Sequence, residues 1–182
     1  LSQIIESNQN SDAQITLVST HFDNPQGYGR ILRKPSGNVY GIIEELSADD
    51  TQKRIKEVNT GIYVVDNQVL FENLKKIQID SKKGEYYLTD IISVFVSQSQ
   101  PINSFIIENN SIVMGVNDLV AISKAEKYFR DKINKKHMLK GISLINPETI
   151  TIGHEVEIEA GVIVYPNTTI TGSSKIYGKA VI

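Results

Sequence analysis

Cysteine is absent from the 182 residues, which excludes a disulfide scaffold, thiolate catalysis and thiolate zinc sites and fits a reducing, cytoplasmic setting. An excess of either charge is lacking as well. Nineteen Lys and Arg against 21 Asp and Glu leave a formal net charge of -2, so no broad positive field exists to gather nucleic acid or an anionic lipid surface. Long apolar runs are missing: the stretch 91–96 gives way to Ser and Gln at once, far short of the roughly 20 residues that span a bilayer. No signal-peptide pattern surrounds Leu1, and with no initiating Met the chain is expected to be an internal piece of something longer. The phosphate-loop, dinucleotide-fingerprint and nucleophile-elbow motifs do not occur. His21, His137 and His154 are too scattered to suggest a metal site or a catalytic base. What is present, 40% hydrophobic and 22% charged residues, is enough to bury a full core and excludes a disordered tail.

Up to about residue 140 the pattern is mixed α/β. The apolar, β-branched stretch 13–19 predicts a strand. Residues 29–34 and 38–45 predict a hairpin closed by Pro35-Ser36-Gly37, where Pro presets φ and Gly permits a positive one. A buried strand is expected over 60–65, then a helix capped by Asn67, with Val69, Leu70, Leu74 and Ile77 on one face and Glu72 paired to Lys76. Another helix should follow Asp90, a strand should cover 102–107, and a longer linking helix should open at Asn117-Asp118. Leu119, Ile122, Phe129 and Ile133 recur along it at helical spacing, and Lys132, Lys135 and Lys136 near its end suit the helix dipole. From Ile152 a period of six takes over: Ile152, Ile158, Val164, Ile170, Ile176 and Ile182, with small or β-branched Val156, Val162, Thr168, Ser174 and Ala180 four places after each of the first five. Such hexads suit a parallel β-solenoid of three-sided coils, with the aliphatic column inward and Gly153, Gly161, Gly172, Gly178, Pro166 and Asn167 near the corners. A solenoid stopping at Ile182 would leave an open edge, expected to be poorly ordered or covered by another molecule.

Several stretches are candidates for chemistry, each with a plainer alternative. Gly29, in Gly27-Tyr28-Gly29-Arg30, either admits close approach of a ligand to backbone or only serves a turn. Alternation turns Glu44 and Glu45 to opposite faces, so that one can accept hydrogen bonds from sugar hydroxyls; a solvated pair at a strand end is the competing reading. Asn59 offers donor and acceptor in one plane, which suits vicinal hydroxyls or an acetamido group, or else a turn. In 84–90, Thr89 or Asp90 explains a helix cap without any ligand. Asn117 is either a helix cap or a hard oxygen ligand for Mg²⁺. Lys53, Arg54 and Lys56, beside Asp49, Asp50 and Glu57, read as solvated surface.

The order of the pieces carries more than any one of them. Gly-Tyr-Gly-Arg at 27–30, Gly-Ile-Ile-Glu at 41–44, Glu-Val-Asn-Thr-Gly at 57–61, Gly-Glu-Tyr-Tyr-Leu-Thr-Asp at 84–90, Gly-Val-Asn at 115–117 and then hexads together resemble the bacterial bifunctional enzymes that combine N-acetylglucosamine-1-phosphate uridylyltransferase and glucosamine-1-phosphate N-acetyltransferase activities. The resemblance implies a partial Rossmann-like α/β nucleotidyltransferase domain over 1–117, a linking helix over 118–138, and over 139–182 the first coils of a left-handed β-helix. It implies that Gly29 backbone, Glu44 and Asn59 contact the N-acetylglucosamine part of UDP-N-acetylglucosamine, and that Asn117 joins an upstream Asp in holding Mg²⁺. The reaction implied is attack by the sugar-1-phosphate on the α-phosphate of UTP with loss of pyrophosphate, driven by positioning and charge neutralisation. The family's Gly-x-Gly-Thr-Arg-Met loop and its acetyl-coenzyme A site are not in these residues, so the chain alone is expected to be inactive. A homotrimer through the β-helix is implied for the parent enzyme. Two alternatives stand beside this: another sugar nucleotidylyltransferase with a short hexapeptide tail, and a non-catalytic sugar-binding or trimerisation module.

Overall fold

The computed structural model describes residues 1–79 and 84–182, and the chain divides into two compact units, Leu1–Val113 and Met114–Ile182. In the first, helix α1 (Ser2–Gln9) precedes strand β1 (Ile15–His21). The hairpin β2 (Arg30–Arg33) and β3 (Val39–Ile43) comes next, then β4 (Glu57–Val65), helices α2 (Asn67–Leu74) and α3 (Ile91–Ser97), and β5 (Ile102–Ile107). The strands form one sheet in the order β3-β2-β4-β1-β5, antiparallel except that β1 and β5 run parallel. β1 lies inside the sheet between β4 and β5, and six of its seven residues are buried, so both its faces are covered. Ile15 and Leu17 join Ile31, Val39, Ile42 and α3's Ile91, Ile92 and Phe95 in the main core. On the opposite face, Thr16 is satisfied by Asn8 and Asn103.

The predicted hairpin forms, with its turn set by Gly37 at φ +88° and Lys34 N–H donating to Asn38 O. Three expectations need correction. α2 is capped by Asp66, whose carboxylate accepts from the N–H groups of Gln68 and Val69, so Asn67 is its first helical residue. Glu72 accepts from Gln68 Nε2, while Lys76, beyond the helix end, donates to Asn73 Oδ1 and Gln98 Oε1. The strand expected over 60–65 is longer and mostly half-buried, and it carries a bulge: Leu17 and Ser19 of β1 face Tyr63 and Asn59 of β4.

The second unit opens with α4 (Leu119–Leu139), capped by Asp118 accepting from Ala121 N–H at 2.7 Å rather than by Asn117. Its apolar series is not a buried stripe. Ile133 packs on the unit's core, whereas Leu119, Ile122 and Phe129 are exposed. Asn134 ties this helix to the turn 147–150, its Nδ2 donating to the carbonyls of Pro147 and Ile150 at 2.8 and 2.9 Å. The rest of the unit is built on two-residue strands: β6 (Ser143–Leu144), β7 (Thr151–Ile152), β8 (Glu157–Ile158), β9 (Ile163–Val164), β10 (Thr169–Ile170) and β11 (Lys175–Ile176). They pair in parallel, β7 with β10, β8 with β11 and β6 with β9. Ile152 thus lies beside Ile170, and Ile158 beside Ile176, eighteen residues on, which is three periods of six. Ile152, Val156, Val162, Val164 and Ile170 are buried together. Ile163 bridges to Val181, Ile182 N–H donates to Ile163 O and Tyr165 N–H donates to Ile182 O, so the final residues lie against β9.

Candidate functional site

Three of the four residues singled out in the sequence lie side by side. Asn59 N–H donates to Gly29 O at 2.8 Å, joining β4 to the residue that enters β2. Gly29 in turn faces Glu44: a β-carbon built at position 29 would lie 3.4 and 3.5 Å from the two carboxylate oxygens. Glu44, Gly29 and Asn59 therefore occupy one row across three neighbouring strands, β3, β2 and β4, the first two just outside their strands' ends. Directly paired positions project their side chains to the same face. Glu44 and Asn59 are half-buried, and Gly29 is buried.

Two further residues belong to this cluster that sequence reasoning missed. Thr89 Oγ1 donates to Glu44 Oε1 at 2.8 Å, so the hydroxyl read as a helix cap is spent on the carboxylate. Tyr63 donates its hydroxyl to Asn59 Oδ1 at 3.1 Å. Burial pushes the Tyr63 phenol up to about 12, with the negative charge of Glu44 adding to the shift against the opposing hydrogen bond to Asn59. In an unbroken strand residues 59 and 63 lie about 13 Å apart, out of contact. Only the β4 bulge brings them together, and Gly61 at φ +77° was its one sequence signal.

The two adjacent glutamates have different roles. Glu45 pairs with Arg30 at 2.6 Å and accepts from Gly27 N–H at 3.3 Å, and Arg30, almost fully buried, also donates to Tyr28 O. This clasp holds the loop 27–29 against the start of the 3₁₀ turn after β3, and the Arg30 hydrogen bond keeps the Glu45 carboxyl below its usual range. Glu57, farther along β4, accepts from Arg33 through both of its oxygens, at 2.6 and 2.7 Å, and from Ser19 Oγ at 2.6 Å. Burial works to raise the Glu57 pKa, but the Arg33 and Ser19 hydrogen bonds and the Arg33 charge outweigh it and the net shift is downward. Glu44 is thus the carboxylate of the three whose contacts here are a hydroxyl and a glycine.

Asn117 lies in the second unit, exposed, one residue before the helix cap. Among the described residues no group of three or more His, Cys, Asp or Glu is placed to hold a metal ion. No described helix is long and apolar enough to cross a membrane.

Comparison with known proteins places these observations. The chain is 55% identical to the bifunctional protein GlmU of Acholeplasma laidlawii over 157 residues, which is 86% of this chain and 34% of that protein. It is 40% identical to the bifunctional protein GlmU of Streptococcus gordonii over all 182 residues, 40% of that protein, and 41% identical to that of Streptococcus suis over 167 residues, 36% of that protein. The chain spans between about a third and two fifths of the length of these curated relatives. The sequence profile described as nucleotidyl transferase matches residues 1–136, and with that match over most of its length the chain belongs to the nucleotidyl transferase family.

Proposed function

We propose that this chain supplies the sugar-side wall of a uridylyltransferase site, in a protein that makes UDP-N-acetylglucosamine from UTP and N-acetylglucosamine 1-phosphate. The observation that carries the reading is the row Glu44–Gly29–Asn59: a carboxylate acceptor and a side-chain amide lie in one row on either side of a glycine, as recognition of a polyhydroxylated, amide-bearing ring requires. The missing β-carbon at Gly29 lets the Ile42 side chain and the Glu44 carboxylate close in over the backbone, which holds the carboxylate in the row. Glu44 accepts from ligand hydroxyl or amide N–H groups, and Asn59 supplies the third contact. With the sugar phosphate so held, one of its phosphate oxygens attacks the α-phosphorus of UTP, forming the new P–O bond as the bond to pyrophosphate breaks. Positioning is the contribution these residues make to that step.

Asn117 is the candidate ligand for Mg²⁺, but it brings one neutral oxygen, and the described residues do not complete a metal site by themselves. For the second unit, the period of six and the parallel pairing of residues eighteen apart support reading 139–182 as the opening coils of a parallel β-helix. Its left hand, the acetyl-coenzyme A site on later coils and trimer assembly come with the resemblance. The division into 1–117, 118–138 and 139–182 and a cytoplasmic location belong to the same proposal.

Titrating the ¹⁵N-labelled chain with UDP-N-acetylglucosamine tests the site. Resonances of Gly29, Glu44 and Asn59 should move together, and Asn59→Ala should weaken binding by about 1–3 kcal/mol. Shifts confined to other parts of the chain, or an unchanged affinity in the variant, would remove these residues from the site.

A further inference from the structure

An Asn side chain presents an acceptor at one end and two donors at the other, and either end can face a ligand. At Asn59 the choice is made by its neighbours. The backbone N–H of Gly61, which can only donate, meets the side-chain terminus at 3.2 Å, so the atom there is the oxygen. An amide oxygen cannot donate, so the Tyr63 hydroxyl, 3.1 Å from the same atom, must donate to it as well. Two donors occupy the two lone pairs of Oδ1. Nδ2 is left with no hydrogen-bond partner among the described residues, and it is not among the buried unpaired atoms, so it stays accessible. With its pKa pushed up to about 12, the Tyr63 phenol keeps its proton throughout the physiological range.

The backbone is built to make this contact. Across β1 the partners of Tyr63 and Asn59 are Leu17 and Ser19, two residues apart, so β4 is gathered up over the same span. Gly61, at φ +77°, takes the turn, and Thr60 Oγ1 pins the bulge by donating to Val18 O at 2.9 Å.

We infer that Tyr63 is a positioning residue of the proposed sugar site: together with the Gly61 N–H it locks the Asn59 amide so that nitrogen, a donor, faces the ligand, and the ligand atom recognised there is an acceptor. The inference rests on the proposed sugar-binding reading and adds a polarity to it. Glu44 is the opposite pole, since a carboxylate only accepts; Thr89 donates to its Oε1, and among the described residues its Oε2 has no donor and is left for the ligand. The site therefore selects a ligand with an acceptor, such as a carbonyl or ring-hydroxyl oxygen, at one point and an O–H or N–H donor at another. An N-acetylated hexose carries both.

The test is an NMR titration of the whole chain with UDP-N-acetylglucosamine, comparing wild type, Tyr63→Phe, Asn59→Ala and the double variant. Phe keeps the ring in place and removes only the hydroxyl. Tyr63→Phe should weaken binding about tenfold, because the amide is then held by one donor and can turn. In the Asn59→Ala background the same change should have no further effect, and in wild type the Asn59 side-chain NH₂ resonances should move downfield on binding. Equal affinity of Tyr63→Phe and wild type overturns the inference. So does an equal loss from Tyr63→Phe in both backgrounds, which marks a general packing role, or backbone shifts with no change at the Asn59 NH₂. If Asn59→Ala binds as wild type does, the sugar-site reading itself fails, an outcome distinct from failure of the Tyr63 arm alone.

Discussion

A β-carbon at Gly29 would lie 3.1 Å from Ile42 Cγ2 and 3.4 Å from Glu44 Oε2. The two positions are thus packed as closely as a bare backbone allows, and one methyl group must displace either a core side chain or the carboxylate. Gly29→Ala should destabilise the first unit by about 1–3 kcal/mol, the usual cost of overpacking, and should weaken UDP-N-acetylglucosamine binding as Glu44 is pushed away. Urea unfolding and the NMR titration measure the two effects. A variant as stable as wild type with unchanged affinity would show that nothing depends on this close approach.

The parts of this fold that were legible in the sequence are those where local chemistry and periodicity agree. The hairpin around Pro35-Ser36-Gly37 was readable because turn residues and flanking apolar strands point the same way. After Ile152 the six-residue period matches the spacing of the short parallel strands, which pair three periods apart. Gly29, Glu44 and Asn59 could be singled out through the order of short motifs along the chain, but their adjacency depends on the strand order β3-β2-β4, which no local pattern encodes. Tyr63 and Thr89 escaped for a related reason. One reaches the site through a bulge and the other through a contact 45 residues away in the chain. The caps lie one residue from where the sequence pattern puts them, at Asp66 instead of Asn67 and at Asp118 instead of Asn117, because Asp-Asn and Asn-Asp pairs each offer two good capping side chains and only geometry chooses. The apolar spacing of α4 was real, yet spacing alone cannot say whether a face is covered.

The Arg33–Glu57 pair is held by two hydrogen bonds, with Ser19 on the same carboxylate and Ser104 on the same guanidinium. Truncating one partner strands the other. Glu57→Ala should cost toward the lower end of about 3–5 kcal/mol, since Arg33 keeps 26% of its side chain in solvent. Because the folded-state pKa of Glu57 lies below its ordinary value of 4.5, the unfolded chain binds the proton first as pH falls. The pair's stabilisation is therefore complete above about pH 4.5 and is lost as pH drops through the depressed folded value. Urea midpoints between pH 7 and pH 3 should show a shallower acid loss in Glu57→Gln than in wild type, and parallel curves would contradict it.

At the alkaline end Tyr63 makes the opposite sign. Its folded-state pKa stands near 12 against 10.0 in the unfolded chain, so between those values the folded protein holds a proton that the unfolded chain has released. Stability then falls with rising pH across that window. Tyr63→Phe should flatten the fall, leaving only the part due to other groups. Denaturation midpoints at pH 9, 10 and 11 for the two proteins check this, and identical slopes would place the phenol in a more solvated setting than the one described.

The second unit has its own titration, at His137. His137 is 6% exposed in the last turn of α4, and its Nδ1 is buried without a hydrogen-bond partner among the described residues. Burial lowers its pKa, and the nearby charges of Lys140 and Lys136 lower it further. In the unfolded chain the ring protonates near 6.5, whereas in the folded unit it stays neutral until a lower pH. Its contribution to stability is consequently present above about pH 6.5 and disappears as pH falls through the folded value. Hydrogen exchange at the amides of Ile152, Val164 and Ile170, corrected for the intrinsic pH dependence of exchange, should reveal protection decreasing between pH 7 and pH 5. Replacing His137 by Leu, which cannot take up a proton, should remove that decrease while leaving the acid response of Glu57 in the first unit untouched. Protection in wild type that stays constant over this range would mean the ring is solvated in both states.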